Sequence, residues 1–330
     1  MMRVTVFGAG AMGTALAMHA ARRGLDVMLW ANQFDEKPLA FMRNEGRHPS
    51  LPEHLPSELT VLGPDQLDRA SRGCEVAVMG ASSAGARSLA GMVKDGLEDT
   101  PFVVSIAKGL EPQTDLRMSE VYGQELPDRA VIAMGGPCLA SELAQGLASA
   151  VVWASEQEED ARKAGEPFAD RHFQITYTDD VTGLEYCTVL KNVAAIGMGL
   201  LDGMGKALDE DFKNAKAALF TMAVAELSAV VVALGGRAET AAGLAGLGDT
   251  LVTSLGGRNR LYGEQVGSGS HPEETLRDLE ARGMTVEGVD AARAVTRLAD
   301  RIGIDLPYHL AICRVLFDGA DPRHILEVLF

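Results

Sequence analysis

The stretch VTVFGAGAMGTALAMHAARR, residues 4–23, decides the fold. Residues 4–7 are a short, mostly β-branched run and read as a strand, while residues 11–23 are composed as a helix. Between them stand Gly8, Gly10 and Gly13 in the spacing GxGxxG. Gly8 allows the tight turn, Gly10 lets a ligand's pyrophosphate approach the backbone, and Gly13 lets helix and strand pack closely. Ala11 and Met12 open the helix, whose positive N-terminus suits an anion. Alone the motif is equally a strand-to-helix turn. In this context it predicts a dinucleotide site.

Working outward, residues 27–30 read as the second strand, at whose end a ribose-binding carboxylate is expected about 20 residues beyond the glycines. The chain there has Ala31, Asn32 and Gln33, and the first acid is Asp35. Neither repulsion nor a clamp for a 2′-phosphate is evident, so either NAD or NADP is accommodated. Further strands are expected at residues 75–79, 102–106, 130–134 and 150–154, separated by helical lengths. That alternation predicts βαβ units and a parallel sheet.

From about residue 181 the character changes. Residues 183–201, 214–234, 289–302 and 306–317 are long Ala-, Leu-, Val- and Met-rich runs that read as helices. The glycine-dense segment 243–260, GLAGLGDTLVTSLGGRNR, reads as a shaped loop between them. The expectation is an α/β fold with two domains. Residues 1–180 form a Rossmann-type doubly wound sheet, and residues 181–330 form an all-helical, substrate-binding domain.

The 330 residues include 47% hydrophobic and 23% charged, enough for sizeable cores. A formal charge of −16 disfavours nucleic acid and anionic membranes as partners. It leaves room for a small anionic substrate held by local cations. Cys74, Cys138, Cys187 and Cys313 are scattered and the histidines show no ligand spacing, so neither disulfides nor a metal is expected. No apolar run reads as a membrane span, and the protein is expected in the cytoplasm.

Several segments together carry a family resemblance: SIAKGLE (105–111), GGPCLASELAQG (135–146), LKNVAAIGMGLLDG (190–203), NAKAAL (214–219), GLAGLGDTLVT (243–253), GGRNR (256–260) and VEG (286–288). In that order they resemble the soluble NAD(P)-dependent glycerol-3-phosphate dehydrogenases over nearly the whole chain. The resemblance implies interconversion of dihydroxyacetone phosphate and sn-glycerol 3-phosphate, supply of glycerol phosphate for phospholipid synthesis, and a homodimer.

Lys191 interrupts an apolar helix and alone reads as a snorkelling lysine. The resemblance makes it the proton donor, desolvated so that its pKa falls. It places Lys108 against substrate and cofactor, gives Asp249 and Thr253 the task of orienting, and puts Asn192 by the reacting oxygen. Arg258 and Asn259 are implied for the substrate phosphate, Gly136 and Cys138 for the substrate, and Ala140, Asn32, Lys108, Arg258 and Glu287 for the cofactor. Cys138 stands where the family usually has serine, and Met12 and Asn32 also depart from common bacterial choices. Residues 206–213 lengthen the loop before NAKAAL. A β-hydroxyacid or ketopantoate-type dehydrogenase would share the two-domain plan but need not carry GGRNR.

Overall fold

The computed structural model describes residues 2–330, and the chain divides between Val181 and Thr182 into two compact units. The first holds eight strands: β1 (Arg3–Phe7), β2 (Asp26–Trp30), β3 (Thr60–Leu62), β4 (Val76–Met79), β5 (Phe102–Ser105), β6 (Ala130–Gly135), β7 (Ser149–Ala154) and β8 (Phe173–Thr178). They form one sheet in the order β3-β2-β1-β4-β5-β6-β7-β8. Val4 lies beside Val27 of β2 and Val76 of β4, so β1 is central.

Both faces are covered, as the near-continuous apolar strands require. Val4 and Val6 enter one core with Leu16, Leu29 and Trp153, whereas Phe7 enters the other with Trp30, Met79 and Tyr122. The Ala11–Arg22 helix returns the chain from β1 to β2 across one face, burying nine consecutive residues from Gly13 to Ala21.

Two sheet features depart from the sequence reading. β7 runs antiparallel to β6, so the sheet is parallel only from β3 to β6, with β7 and β8 reversed. The short Ala140–Gln145 helix between β6 and β7 turns the chain back instead of crossing the sheet. β3 and β8 are additional edge strands. β8, FQITYT, is largely part-exposed and polar at alternate positions, so it lacks the apolar run that marked the buried strands.

The order reverses between β1 and β4, and there the two strand ends are closely apposed. Gly80 N donates to Phe7 O at 2.7 Å, and a Cβ on Gly80 would lie 2.9 Å from Gly8 O. Doubly wound sheets bind ligands at this reversal, beyond the carboxyl ends of the strands.

The second unit is helical. Its central element, Val181–Leu208, runs 28 residues and crosses the Arg258–Gly267 helix with backbones nearly touching. Cβ atoms on Gly199 and Gly203 would lie 2.1 and 2.0 Å from Arg260 O and Glu264 O. Reciprocally, Gly263 and Gly267 face Ile196 O and Leu200 O at 2.1 and 2.2 Å. Glycine at four-residue spacing on both helices permits this approach, at a cost of roughly 1 kcal/mol each in helix propensity. The Lys213–Ala233 helix contributes Glu226, whose carboxylate accepts from Tyr308 N at 2.7 Å and His309 N at 3.1 Å. It caps the Pro307–Phe317 helix from a distance, and His309 Nδ1 donates to it at 2.7 Å.

Segment 243–260 is not a loop. Leu244–Gly248 forms a π-turn that leads into the Asp249–Leu255 helix, and the Arg258–Gly267 helix begins three residues later. The glycines serve packing: a Cβ on Gly246 would meet Ala241 O at 2.0 Å. Likewise, residues 206–208 complete the long helix and Lys213 starts the next, so the loop between them is short.

Two helices are long and apolar enough to cross a membrane by length and composition, contrary to the sequence reading. The apolar window of Val181–Leu208 is wholly buried, as in a core helix, whereas that of Lys213–Ala233 is 33% buried.

Candidate functional site

In the sheet unit, Gly8 has φ +106°, and a Cβ there would come within 3.0 Å of Gly80 O. A Cβ on Gly13 would lie 3.0 Å from Gly8 O and 3.1 Å from Val6 Cγ1. The Ala11–Arg22 helix starts at Gly10 with no side-chain cap, which leaves its first amides oriented toward an incoming anion. This cradle, with Ala11 and Met12 on its rim, fits a dinucleotide pyrophosphate.

The intervening Ala9 is held on both sides. Its N–H donates to Asp35 Oδ2 at 3.0 Å, and its carbonyl receives His48 Nε2 at 3.1 Å. His48 Nδ1 accepts from Ser50 N at 3.1 Å, so the ring is the Nε2–H tautomer. Burial pushes the His48 pKa down, outweighing the pull of the Ala9 carbonyl and Asp35. Asp35 Oδ2 also accepts from Asn32 N at 3.1 Å, while Asn32 Oδ1 accepts from Phe34 N at 2.7 Å. The sequence marks Asp35 only as the first acid beyond the second strand and gives no sign of His48. Asp35 stands near the expected spacing beyond the glycines, but displaced from the strand tip, and a lone histidine in a loop carries no signal.

Lys108 lies beyond β5 and donates to Gly136 O at 3.1 Å. Its loop is anchored by Glu111, which receives Arg87 Nε and Nη2 at 2.7 and 2.9 Å. The Arg87 guanidinium holds the Glu111 carboxyl below the usual carboxylate range, against the opposing effect of burial. Gly136 has φ +100°, Cys138 is buried beside it in sequence, and Ala140 begins the Ala140–Gln145 helix.

In the helical unit, Lys191 Nζ donates to Asp249 Oδ1 at 2.9 Å and to Thr253 Oγ1 at 2.8 Å. Lys191 is 5% exposed and Asp249 1%. An ammonium and a carboxylate this deep are kept by mutual attraction and hydrogen bonds. Removing one partner from such a pair costs about 3–5 kcal/mol. The π-turn delivers Asp249 to the start of its helix, and Thr253 follows one turn later on the same face.

One residue along the same helix, Asn192 Oδ1 accepts from Asn259 Nδ2 at 2.9 Å. Asn259 Oδ1 accepts from Gly288 N at 2.9 Å, and Asn192 Nδ2 donates to Thr188 O at 3.2 Å. Each member of this relay adjoins a candidate: Asn192 follows Lys191, Asn259 follows Arg258, and Gly288 follows Glu287. A Cβ on Gly288 would sit 2.9 Å from Asn259 Oδ1, a constraint that VEG alone did not disclose. Arg258 is exposed at the first turn of its helix, after Gly257 at φ +93°. Arg260, the second arginine of GGRNR, is engaged by Asp202 at 2.7 Å and Glu264 at 3.1 Å. No group of three or more potential metal ligands occurs among the described residues.

Residues 3–161 match the family described as NAD-dependent glycerol-3-phosphate dehydrogenase N-terminus, and residues 180–327 match its C-terminus. A glycerol-3-phosphate dehydrogenase [NAD(P)+] of Clostridium perfringens is 34% identical, covering 100% of this chain and 97% of the relative. An NADP(+)-dependent glycerol-3-phosphate dehydrogenase of Archaeoglobus fulgidus is 33% identical, covering 98% of each. The solved glycerol-3-phosphate dehydrogenase of Coxiella burnetii superposes with a TM-score of 0.89 at 30% identity, over 99% of this chain and 98% of that one. With both units matched and full-length relatives above 30% identity, the chain belongs to the NAD-dependent glycerol-3-phosphate dehydrogenase family.

Proposed function

We propose that this chain is a glycerol-3-phosphate dehydrogenase that interconverts dihydroxyacetone phosphate and sn-glycerol 3-phosphate with NAD or NADP. The observation that carries the reading is the buried Lys191–Asp249–Thr253 cluster in a chain whose other unit carries an uncapped glycine cradle. When bound, the nicotinamide supplies or takes the hydride at C2.

Lys191 gives a proton to the C2 oxygen on reduction and recovers it on oxidation. Asp249 and Thr253 fix the ammonium's direction, each accepting a hydrogen bond from it. The Asn192–Asn259 relay sets the spacing between the lysine helix and the Arg258 helix. Arg258, whose planar guanidinium can grip two phosphate oxygens at once, anchors the substrate phosphate with help from the Asn259 end of the relay. Lys108 is a second cation for the substrate, with Gly136 and Cys138 shaping the same loop region. Ala11, Met12, Asn32, Ala140 and Glu287 are cofactor contacts by family resemblance.

The finer expectations belong here too. Residues 1–180 act as the dinucleotide-binding domain and residues 181–330 as the substrate domain. The enzyme works in the cytoplasm, without membrane insertion, and supplies glycerol phosphate for phospholipid synthesis. The exposed face of Lys213–Ala233 carries Ala217, Thr221, Ala225, Ala229 and Val232, which supports a homodimer covering it. Loss of the reduced-nicotinamide absorbance with dihydroxyacetone phosphate tests the activity. Turnover of 3-hydroxy acids or ketopantoate in its place would overturn it. Sedimentation at a monomer mass would remove the dimer.

A further inference from the structure

We infer that Asp35 selects NAD over NADP. The inference rests on the dinucleotide reading of the glycine cradle and names its specificity residue. Asp35 is the N-cap residue of the Glu36–Glu45 helix, a position where aspartate ordinarily bonds the amides of its own helix. It makes no such bond. Its Oδ2 instead reaches back across the loop to Ala9 N and Asn32 N, at 3.0 and 3.1 Å. Ala9 lies between the first two glycines of the cradle, so the carboxylate is fixed against the turn that faces the pyrophosphate.

A carboxylate at the end of the second strand, about 20 residues beyond the glycines, accepts the adenosine ribose 2′-hydroxyl in NAD sites. Asp35 arrives at that place from a few residues downstream of the strand tip. With Oδ2 spent on two backbone donors, Oδ1 is the acceptor for a hydroxyl. A 2′-phosphate would instead bring two negative charges to a fixed negative charge.

No ion pair offsets that charge: residues 31–36, ANQFDE, contain no cation, Lys37 just beyond them is exposed, and among the described residues Asp35 has no ion pair with Lys or Arg. His48, which holds the carbonyl side of Ala9, is pushed toward its neutral form by burial. The Asn32 side chain is held in a local turn, its Oδ1 accepting from Phe34 N, and as a neutral amide it brings no positive charge to a 2′-phosphate.

The test is calorimetric titration of the intact protein with NADH and with NADPH, without substrate, alongside D35N and D35E variants. Like charges set against each other in a site are strongly disfavoured, so wild-type protein should bind NADH at least about tenfold tighter. D35N keeps the acceptor for Ala9 and Asn32 but loses the charge, and should narrow the ratio chiefly by tightening NADPH. D35E retains the charge and should retain the preference, which separates charge from local folding. Equal affinities in wild type, or an unchanged ratio in D35N, would overturn the assignment while leaving the cradle a dinucleotide site. Failure of folded wild-type protein to bind either dinucleotide would overturn both the assignment and the reading beneath it.

Discussion

Glycine does opposite work in the two units. In the sheet unit, on the proposed reading, Gly8, Gly10 and Gly13 bare a stretch of backbone for a ligand, and a Cβ on Gly13 would press its neighbours at about 3.0 Å. In the helical unit, Gly199, Gly203, Gly263 and Gly267 bare backbone for another helix, and added Cβ atoms would fall 2.0–2.2 Å from carbonyl oxygens. The first arrangement leaves a surface, the second closes one. Chemistry follows the same division: the cradle offers backbone amides, whereas the crossed helices position an ammonium, a carboxylate and a relay of amides.

The sharpest way to break this division is Lys191→Met. The activity should fall about a thousandfold, within the range for loss of a positioned proton donor, while dinucleotide affinity stays within a factor of about two. Calorimetry and turnover on the same preparation check both halves. A comparable loss of dinucleotide binding would show that the cradle and the lysine are not separable as described.

The next contrast sets Gly199→Ala against Gly13→Ala. At Gly199 the obstacle is Arg260 O at 2.1 Å, so the helices must part and the Asn192–Asn259 bond with them. Destabilisation should reach about 3 kcal/mol, the upper end for overpacking. Gly13→Ala meets one backbone oxygen and the side chain of Val6 at about 3 Å, and should cost about 1 kcal/mol. Its main effect should be on dinucleotide affinity. Chemical denaturation of both variants decides it; equal stability losses would mean the helix crossing is looser than its geometry.

That contrast also explains what the sequence disclosed. The cradle was legible because its physics is local: strand, turn, glycines and helix start lie within residues 4–23. Lys191 with Asp249 and Thr253, and Arg258 with Asn259, were legible through family resemblance, but not the bonds of the Asn192–Asn259–Gly288 relay. Gly199 reads as an ordinary glycine until Arg260 is found against it, far along the chain. For the same reason the 243–260 segment looked like a loop. Glycines that permit close packing and glycines that permit turns have the same letter, and only the opposing helix tells them apart. β7 turned antiparallel for a reason no strand pattern encodes, the short helix before it.

A smaller effect is expected at Arg258. If its guanidinium anchors phosphate from an exposed helix start, Arg258→Ala should raise KM for dihydroxyacetone phosphate by about tenfold or more, equivalent to a lost charge-assisted bond. The value of kcat should change less. An unaltered KM would move the phosphate elsewhere and leave Arg258 a solvated side chain. Arg260 makes a useful contrast, since its ion pairs with Asp202 and Glu264 should show as stability with KM little changed.

The smallest expected effect concerns acid. His48 and His19 are both buried in the sheet unit, and burial lowers the pKa of each. His19 Nε2 donates to Phe168 O at 2.7 Å, as His48 Nε2 does to Ala9 O. A histidine lowered on folding binds its proton more readily in the unfolded chain. Its contribution is therefore fully present above the unfolded value of about 6.5 and is lost as pH falls from there toward the folded value. Each unit of difference is worth about 1.4 kcal/mol. Glu111, held low chiefly by Arg87, adds stability that is present above the ordinary glutamate range and lost as pH falls through its folded value. Melting temperature should thus decline below about pH 6.5 and again in the carboxylate range. The upper step should shrink in a His48→Gln variant, whose amide can still donate to Ala9 O without titrating. Because Ala9 N also donates to Asp35, dinucleotide affinity should weaken over the same upper step, and a flat affinity through it would separate the histidine from the cradle.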